Sequence, residues 1–402
     1  MRIAFTCNGP GEMAGWARPL LRRLYALAPQ TEVHLFFVPD DYATGKEADL
    51  ARALFPNAHV YDPKTYVRVA LGRGVAGLPA AVDVVQYLGG DLMHVVRLHK
   101  RLRGIATGYK FSRANLARTF ERVFAVDDRN VEQLRAWNTP PERIRKIGNL
   151  AIDGALLEAQ NPVEAGAPHD GVLFMPGSRR YEVEHLIPFF FTSALWMRRD
   201  DPALPIAFGI SPFTSLDAVR RAIEAGGHER IWAQKGRLIE ENGAAYLASV
   251  DGSQRFPILR NALSATTVAR LVVTIPGTKT IEVASLGKPM VTITPLNAPE
   301  EITINGPLTY VNRIPLIGVP LKRAIAVGVS RRFTYHTQPN IDAQAMLVAE
   351  LHGTLTPGRV ARVALERFAD RAWLAATAKS LGTLYTEHVG AADRMARDLL
   401  EL

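Results

Sequence analysis

The chain has 402 residues, 48% hydrophobic and 22% charged, a composition that excludes a disordered chain and, at roughly 100–200 residues per domain, points to two domains. Its 48 Lys and Arg against 39 Asp and Glu leave a formal charge of +9, which favours phosphorylated small molecules, nucleic acid or an anionic membrane face without choosing among them. The single cysteine, Cys7, excludes internal disulfides and thiolate metal clusters, and no apolar run approaches the roughly 18 residues that span a bilayer.

Arg2 to Cys7 reads as a buried strand, Asn8 to Gly15 as a flexible loop, and Trp16 to Ala28 as a helix with apolar residues at helical spacing. The start lacks the apolar run and cleavage site of a signal peptide, so a cytoplasmic protein is expected, either soluble or peripheral on the inner face of the cytoplasmic membrane. A strand from Glu32 to Val38, a helix from Lys46 to Phe55 and a short strand at His59 to Tyr61 continue the alternation expected of a parallel sheet covered by helices. Tyr66 to Pro79 is apolar and glycine-rich, with Arg68 and Arg73 interspersed. It reads either as a mobile surface segment touching lipid or as a loop packed over the sheet. Val82 to Leu88 is a strand ending in Gly89-Gly90-Asp91, and a basic helix follows from Met93 to Arg103. Ligands bind past the carboxyl ends of strands in such sheets, which makes Asp91 a candidate catalytic group, although Asp is equally at home as a helix N-cap.

Residues 161–171, rich in Pro, Gly and Ala, read as a linker between a first domain at 1–160 and a second at 172–356. The second begins with the strand from Val172, which ends in Pro176-Gly177-Ser178-Arg179 and turns at once into a helix. Gly177 permits a close approach of the backbone, and the first-turn amides with Arg179 and Arg180 make a place for an anion. Strands are expected at Pro205 to Gly209 and Ile231 to Ala233, with a helix at Ser215 to Ala225. The strand Arg270 to Ile275 runs through Pro276-Gly277-Thr278 into the helix Ile281 to Leu286, giving a second glycine turn at a helix start. From Pro357 to the end the chain reads as helical and able to pack back on the first domain or exchange with a partner, which leaves monomer and homodimer open.

The two turns, Gly177-Ser178-Arg179 and Gly277-Thr278, read either as a grip on the two ends of a diphosphate or as ordinary turns of an α/β protein. Glu282, one helical turn on, reads either as an acceptor for a ribose hydroxyl pair or as a surface Glu stabilised by the helix N-terminus. No Walker pattern is present. Gly9, Gly11 and Gly15 do not have dinucleotide spacing, so no cofactor is expected. The histidines show no metal-ligand spacing, and basic and aromatic residues do not cluster as in nucleic-acid modules.

Pro176-Gly-Ser-Arg-Arg-Tyr-Glu-Val-Glu-His-Leu-Ile-Pro188 and Pro276-Gly-Thr-Lys-Thr-Ile-Glu-Val-Ala-Ser-Leu-Gly-Lys-Pro-Met-Val291 resemble, in letters, order and spacing, the two signature segments of lipid-A-disaccharide synthases. Gly148 to Asp153 and Gln338-Pro-Asn340 are similar to further segments of that family. The resemblance implies a GT-B glycosyltransferase, two Rossmann-like doubly wound domains facing a cleft, moving a glucosamine-type sugar with inversion from a UDP-sugar to a lipid-linked acceptor. It implies Gly177, Ser178, Arg179, Gly277, Thr278, Glu282 and Asn340 as donor-binding residues. Asp91 falls on the family's presumed base, and Gly9, Gly11 and Glu12 on its acceptor-side loop. Departures fall on the acceptor side, where Gly90-Asp-Leu-Met93 keeps only the Asp of its family segment. The alternatives are a UDP-sugar 2-epimerase, which shares the fold and needs no acceptor, and a non-catalytic relative.

Overall fold

The computed structural model describes residues 1–39, 45–111, 118–298, 328 and 333–402, and the chain forms two units, Met1–Leu157 with Thr386–Leu402, and Glu158–Tyr385. In the first unit the strands are β1 (Arg2–Cys7), β2 (Glu32–Phe37), β3 (His59–Tyr61), β4 (Val84–Tyr87), β5 (Ile105–Tyr109), β6 (Arg122–Ala125) and β7 (Ile144–Lys146). They pair in the order β3-β2-β1-β4-β5-β6-β7, all parallel. Ile3, Phe5, Val33, Leu35, Val84 and Val85 are fully buried, as strands covered by helices on both faces require.

In the second unit the strands are β8 (Val172–Met175), β9 (Ile206–Gly209), β10 (Gly236–Glu241), β11 (Ala244–Ser249), β12 (Arg255–Leu259), β13 (Leu271–Thr274), β14 (Met290–Pro295) and β15 (Ala349–Gly353). Their order is β10-β11-β12-β9-β8-β13-β14-β15. The first three form an antiparallel meander and the rest are parallel. Phe174, Phe189, Phe190, Phe191, Phe208 and Phe256 fill the core. Read outward from β1 and from β8, both sheets have the doubly wound order 3-2-1-4-5-6, so the expected pair of Rossmann-like units is present.

Several local expectations are corrected. The supposed strand at Ile231 to Ala233 is a short helical turn, Glu229–Ile231, followed by Trp232 in the left-handed region at φ 52°. The strands are instead β10 and β11, joined by Asn242-Gly243 with φ 52° and 78°, the pair that a tight hairpin with primed geometry demands. The glycine-rich stretch after Tyr66 opens as a helix, Pro63–Ala70, because Asp62 caps it by accepting from the Thr65 amide at 2.7 Å.

The loop expected at Asn8 to Gly15 is helical from Pro10, and Met13–Ala17 is a π-helical turn before the helix Arg18–Leu27. Pro19 explains it: the ring has no N–H and collides with the carbonyl four residues back, so the ladder widens and the Arg18 amide bonds Met13, five residues back. Pro188 does the same in the second unit, where Glu182–Leu186 is a π turn ahead of the helix Ile187–Asp200. Gly15 and Gly154 then let two backbones meet, since a Cβ on Gly154 would lie 2.9 Å from the Gly15 Cα.

The C-terminal helices divide between the units. Pro357–Ala369 and Arg371–Leu384 lie in the second, and Ala391–Leu400 packs in the first with Met395 and Leu399 in its core. Asp153 accepts from the amides of Gly390 and Ala392 at 2.8 and 2.6 Å and so caps that last helix. Burial raises its pKa, and the two amides oppose the shift. Residues 161–171 lie in the second unit, where Glu164 accepts from the Arg260 amide at 2.9 Å.

Candidate functional site

Strand order locates the site in the second unit. β8 has β9 on one side and β13 on the other, so the connections leave in opposite directions between β8 and β13, and a crevice opens past their carboxyl ends. Both glycine turns follow these two strands. The Thr274 hydroxyl donates to the Met175 carbonyl at 2.9 Å and pins the strand ends together. A Cβ on Gly177 would lie 3.0 Å from the Ile275 side chain, so the turns adjoin.

The two turns differ in what fills them. Gly177 has φ 98°, and beyond it the amides of Ser178 and Arg179 donate to one oxygen of Glu182, at 2.7 and 2.8 Å. A Cβ on Gly177 would lie 2.2 Å from that same oxygen, so the glycine makes room for the protein's own carboxylate. Arg179, its side chain 65% exposed, approaches Glu182 at 3.6 Å. The anion cradle expected here is present, and an internal carboxylate occupies it.

The second turn carries no such plug. Gly277 has φ 143°, and a Cβ there would meet nothing within 4 Å. The helix Thr278–Ser285 starts directly after it, and Thr280 turns its hydroxyl back to the Gly277 carbonyl at 2.7 Å. Among the described residues no side chain caps the amides of Thr278 and Lys279. Glu282 is buried, and its carboxylate meets the Lys279 ammonium at 2.7 Å. Burial is the largest influence on the Lys279 pKa and works to lower it, but the carboxylates of Glu282 and Glu158 together outweigh it, so the pKa is raised. A cation in the first turn opposes the helix dipole, which makes Lys279 a costly choice unless an anion lies beside it. This arrangement can hold an anion on two amides and an ammonium, with a carboxylate one turn away.

The remaining expected residues are placed as follows. Asn340 is wholly buried and ties its helix to β15: its amide donates to the Val348 carbonyl at 3.0 Å and to Glu350 at 2.7 Å, and accepts from the Val348 amide at 2.9 Å. Its hydrogen-bonding groups are thereby engaged within the second unit. Asp91 is exposed and caps the helix Leu92–Leu102, accepting from the Met93 amide at 2.9 Å. In the first unit β1 and β4 flank the equivalent switch point, and Gly89 leaves room there for Asn8 and Glu12, whose atoms lie 2.1 and 3.0 Å from a Cβ built on it. Gly9 similarly faces the Glu12 carboxylate at 3.0 Å, whereas Gly11 meets nothing within 4 Å. Burial raises the Cys7 thiol pKa well above its ordinary value, with Glu12 adding to the shift.

Sequence reasoning missed the plug Glu182, the pin Thr274 and the histidine pair beside the first turn, where His185 accepts from the His228 amide at 3.1 Å. For Glu182 a signal existed, an acid in the first helical turn after a Gly-Ser turn.

No family profile matches the sequence, and no curated protein matches it. Solved structures do. The chain is similar over 100% of its length to UDP-GlcNAc 2-epimerase from Neisseria meningitidis bound to UDP-GlcNAc, at 12% identity and TM-score 0.56, covering 100% of that chain. It is similar to the UDP-GlcNAc 2-epimerase of Methanocaldococcus jannaschii in complex with UDP-GlcNAc and UDP, with the same identity, score and coverage. It is similar also to S. aureus MnaA in its UDP co-structure, at 12% identity and TM-score 0.60, over 100% of this chain and 96% of that one. The shared architecture is that of GT-B-like epimerases. These neighbours are epimerases and overturn the expected glycosyltransferase acting on a lipid-linked acceptor in lipid A synthesis. Its proposed base, Asp91, is a helix cap. No helix among the described residues is long and apolar enough to cross a membrane.

Proposed function

We propose that the protein binds a UDP-sugar and epimerises it at C2, a UDP-N-acetylhexosamine being the first substrate to try. The observation that carries the reading is the open turn at Gly277 with Lys279 and Glu282, at the switch point of a unit whose fold the chain shares with UDP-GlcNAc 2-epimerases. On this reading the amides of Thr278 and Lys279 and the Lys279 ammonium take the diphosphate. Glu282 exchanges its ion pair for the ribose hydroxyls. Arg179, exposed beside the plugged turn, supplies a second positive charge, with Gly177 and Ser178 shaping the turn that carries it.

Inversion at one carbon requires a proton to leave one face and return to the other, so the reaction needs no acceptor. The test is incubation with UDP-GlcNAc alone in deuterated water, followed by proton NMR. The reading expects a second UDP-hexosamine with deuterium at C2. Unchanged substrate, with UDP binding retained, would overturn epimerisation but leave the nucleotide site standing.

One face of the first unit supports a peripheral place for the enzyme. Residues 64–111 hold eight Lys and Arg against two Asp, most of the chain's excess charge. The exposed Val67, Leu71 and Met93 lie among Lys64, Arg68, Arg97 and Lys100, on segments that Tyr66 joins by its 2.7 Å bond to His94. Such a face suits an anionic bilayer surface. Cosedimentation with phosphatidylglycerol vesicles, absent with phosphatidylcholine and lost in high salt, is the expected result. Equal recovery with both lipids would remove the proposal.

A further inference from the structure

The first sheet carries a cluster that the nucleotide reading does not use. Glu32 and His34 share one face of β2, and in the parallel register His34 lies beside His59 of β3 while Glu32 lies beside Arg2 of β1. His34 is fully buried and His59 exposed, with their rings stacked at 4.7 Å and 10°.

The hydrogen bonds around His34 leave a conflict. The Tyr61 hydroxyl donates to the Gly77 carbonyl at 2.8 Å, and a phenol has one proton. At His34 Nδ1, 3.0 Å away, the Tyr61 oxygen must therefore accept, so Nδ1 carries the ring proton. In the neutral ring Nε2 then presents a lone pair, and it faces Glu32 Oε1 at 2.9 Å. The other carboxylate oxygen, Oε2, is held by the Arg2 guanidinium at 2.8 Å and cannot turn away without losing that pair. Two acceptors held this close need a cation with them.

We propose that His34 Nε2, Glu32 Oε1 and a ring nitrogen of His59 bind a divalent transition-metal ion of the zinc type. The three ligand atoms lie within 4.8 Å of one another, a spread that small side-chain shifts bring to ligand distances of about 2.0–2.2 Å. Two imidazoles and a carboxylate form a zinc donor set, and Tyr61 and Arg2 orient the ligands from behind. The exposed side at His59 leaves a coordination position for water. β3 has three residues and stands at the sheet edge, so the ion would clip that strand to β2.

The test uses the full chain, stripped with chelator and titrated with Co²⁺ by visible absorption and with Zn²⁺ against a chromophoric chelator. One equivalent should bind and raise the Tm. His59→Ala, a change at an exposed side chain, should weaken binding about tenfold or more with unchanged circular dichroism, and Glu32→Gln should do likewise. No uptake, or uptake that His59→Ala leaves intact, overturns the site. Nitrogen-15 spectra showing His34 protonated on both nitrogens, with and without zinc, would assign the cation as a proton and also overturn it.

Discussion

The two glycine turns of the second unit follow adjacent parallel strands, end in helix starts and look alike in sequence, yet one is filled and the other open. At Gly177 a carboxylate five residues downstream folds back onto the amides of Ser178 and Arg179. At Gly277 the acid in the corresponding place, Glu282, points instead to Lys279 and leaves the amides uncapped among the described residues. The difference teaches that a glycine at a helix start has two uses, and the neighbouring Cβ space separates them: 2.2 Å to Glu182 in one case, nothing within 4 Å in the other.

The largest effect should come from Gly177→Ala, which imposes φ 98° on a side chain and drives its Cβ into Glu182. Strain and overpacking together predict a loss of about 3 kcal/mol in denaturant unfolding. Gly277→Ala, strained but unobstructed, should lose about half as much, and equal losses would erase the contrast. Glu282→Ala should next weaken UDP binding about tenfold by calorimetry, roughly 1.4 kcal/mol, with little change in Tm. A fall in Tm without loss of affinity would make that residue structural. Glu182→Gln should destabilise by about 1 kcal/mol while UDP affinity stays within about threefold, because its carboxylate serves the fold by holding the amides of Ser178 and Arg179.

The smallest effect is alkaline. Lys279 has a folded pKa raised above its ordinary 10.5, so its pairing stabilises fully below that value and is lost as pH rises through the folded pKa. Wild type should therefore lose Tm more steeply than Lys279→Met above about pH 10.5, and parallel curves would show that the pair adds nothing.

Much of the fold was legible because buried parallel strands read as short apolar runs, and β1, β2, β8, β9, β13 and β14 all announce themselves in this way. The hairpin at Asn242-Gly243 was missed: β10 is charged at its end, β11 is alanine-rich and both are largely half-exposed or exposed, so the turn dipeptide was the only strong signal. The π turns were written in Pro19 and Pro188 but needed the helix register to be read. Asn340 could not be judged from sequence, since its partners Val348 and Glu350 reach it only across the β15 edge. The place of Asp91 was no easier to read. Asp after a strand fits a base and a helix cap alike, and the structure shows the cap, with the Met93 amide donating to Asp91.

By itself the sequence determined two α/β units with helix-covered parallel strands and set a glycine turn at the carboxyl ends of β8 and β13, because apolar periodicity and turn chemistry are local. Tertiary structure alone decided which turn is open, and it gathered Glu32, His34 and His59 on one face. Both outcomes depend on side-chain direction and on register between strands, which no local pattern carries.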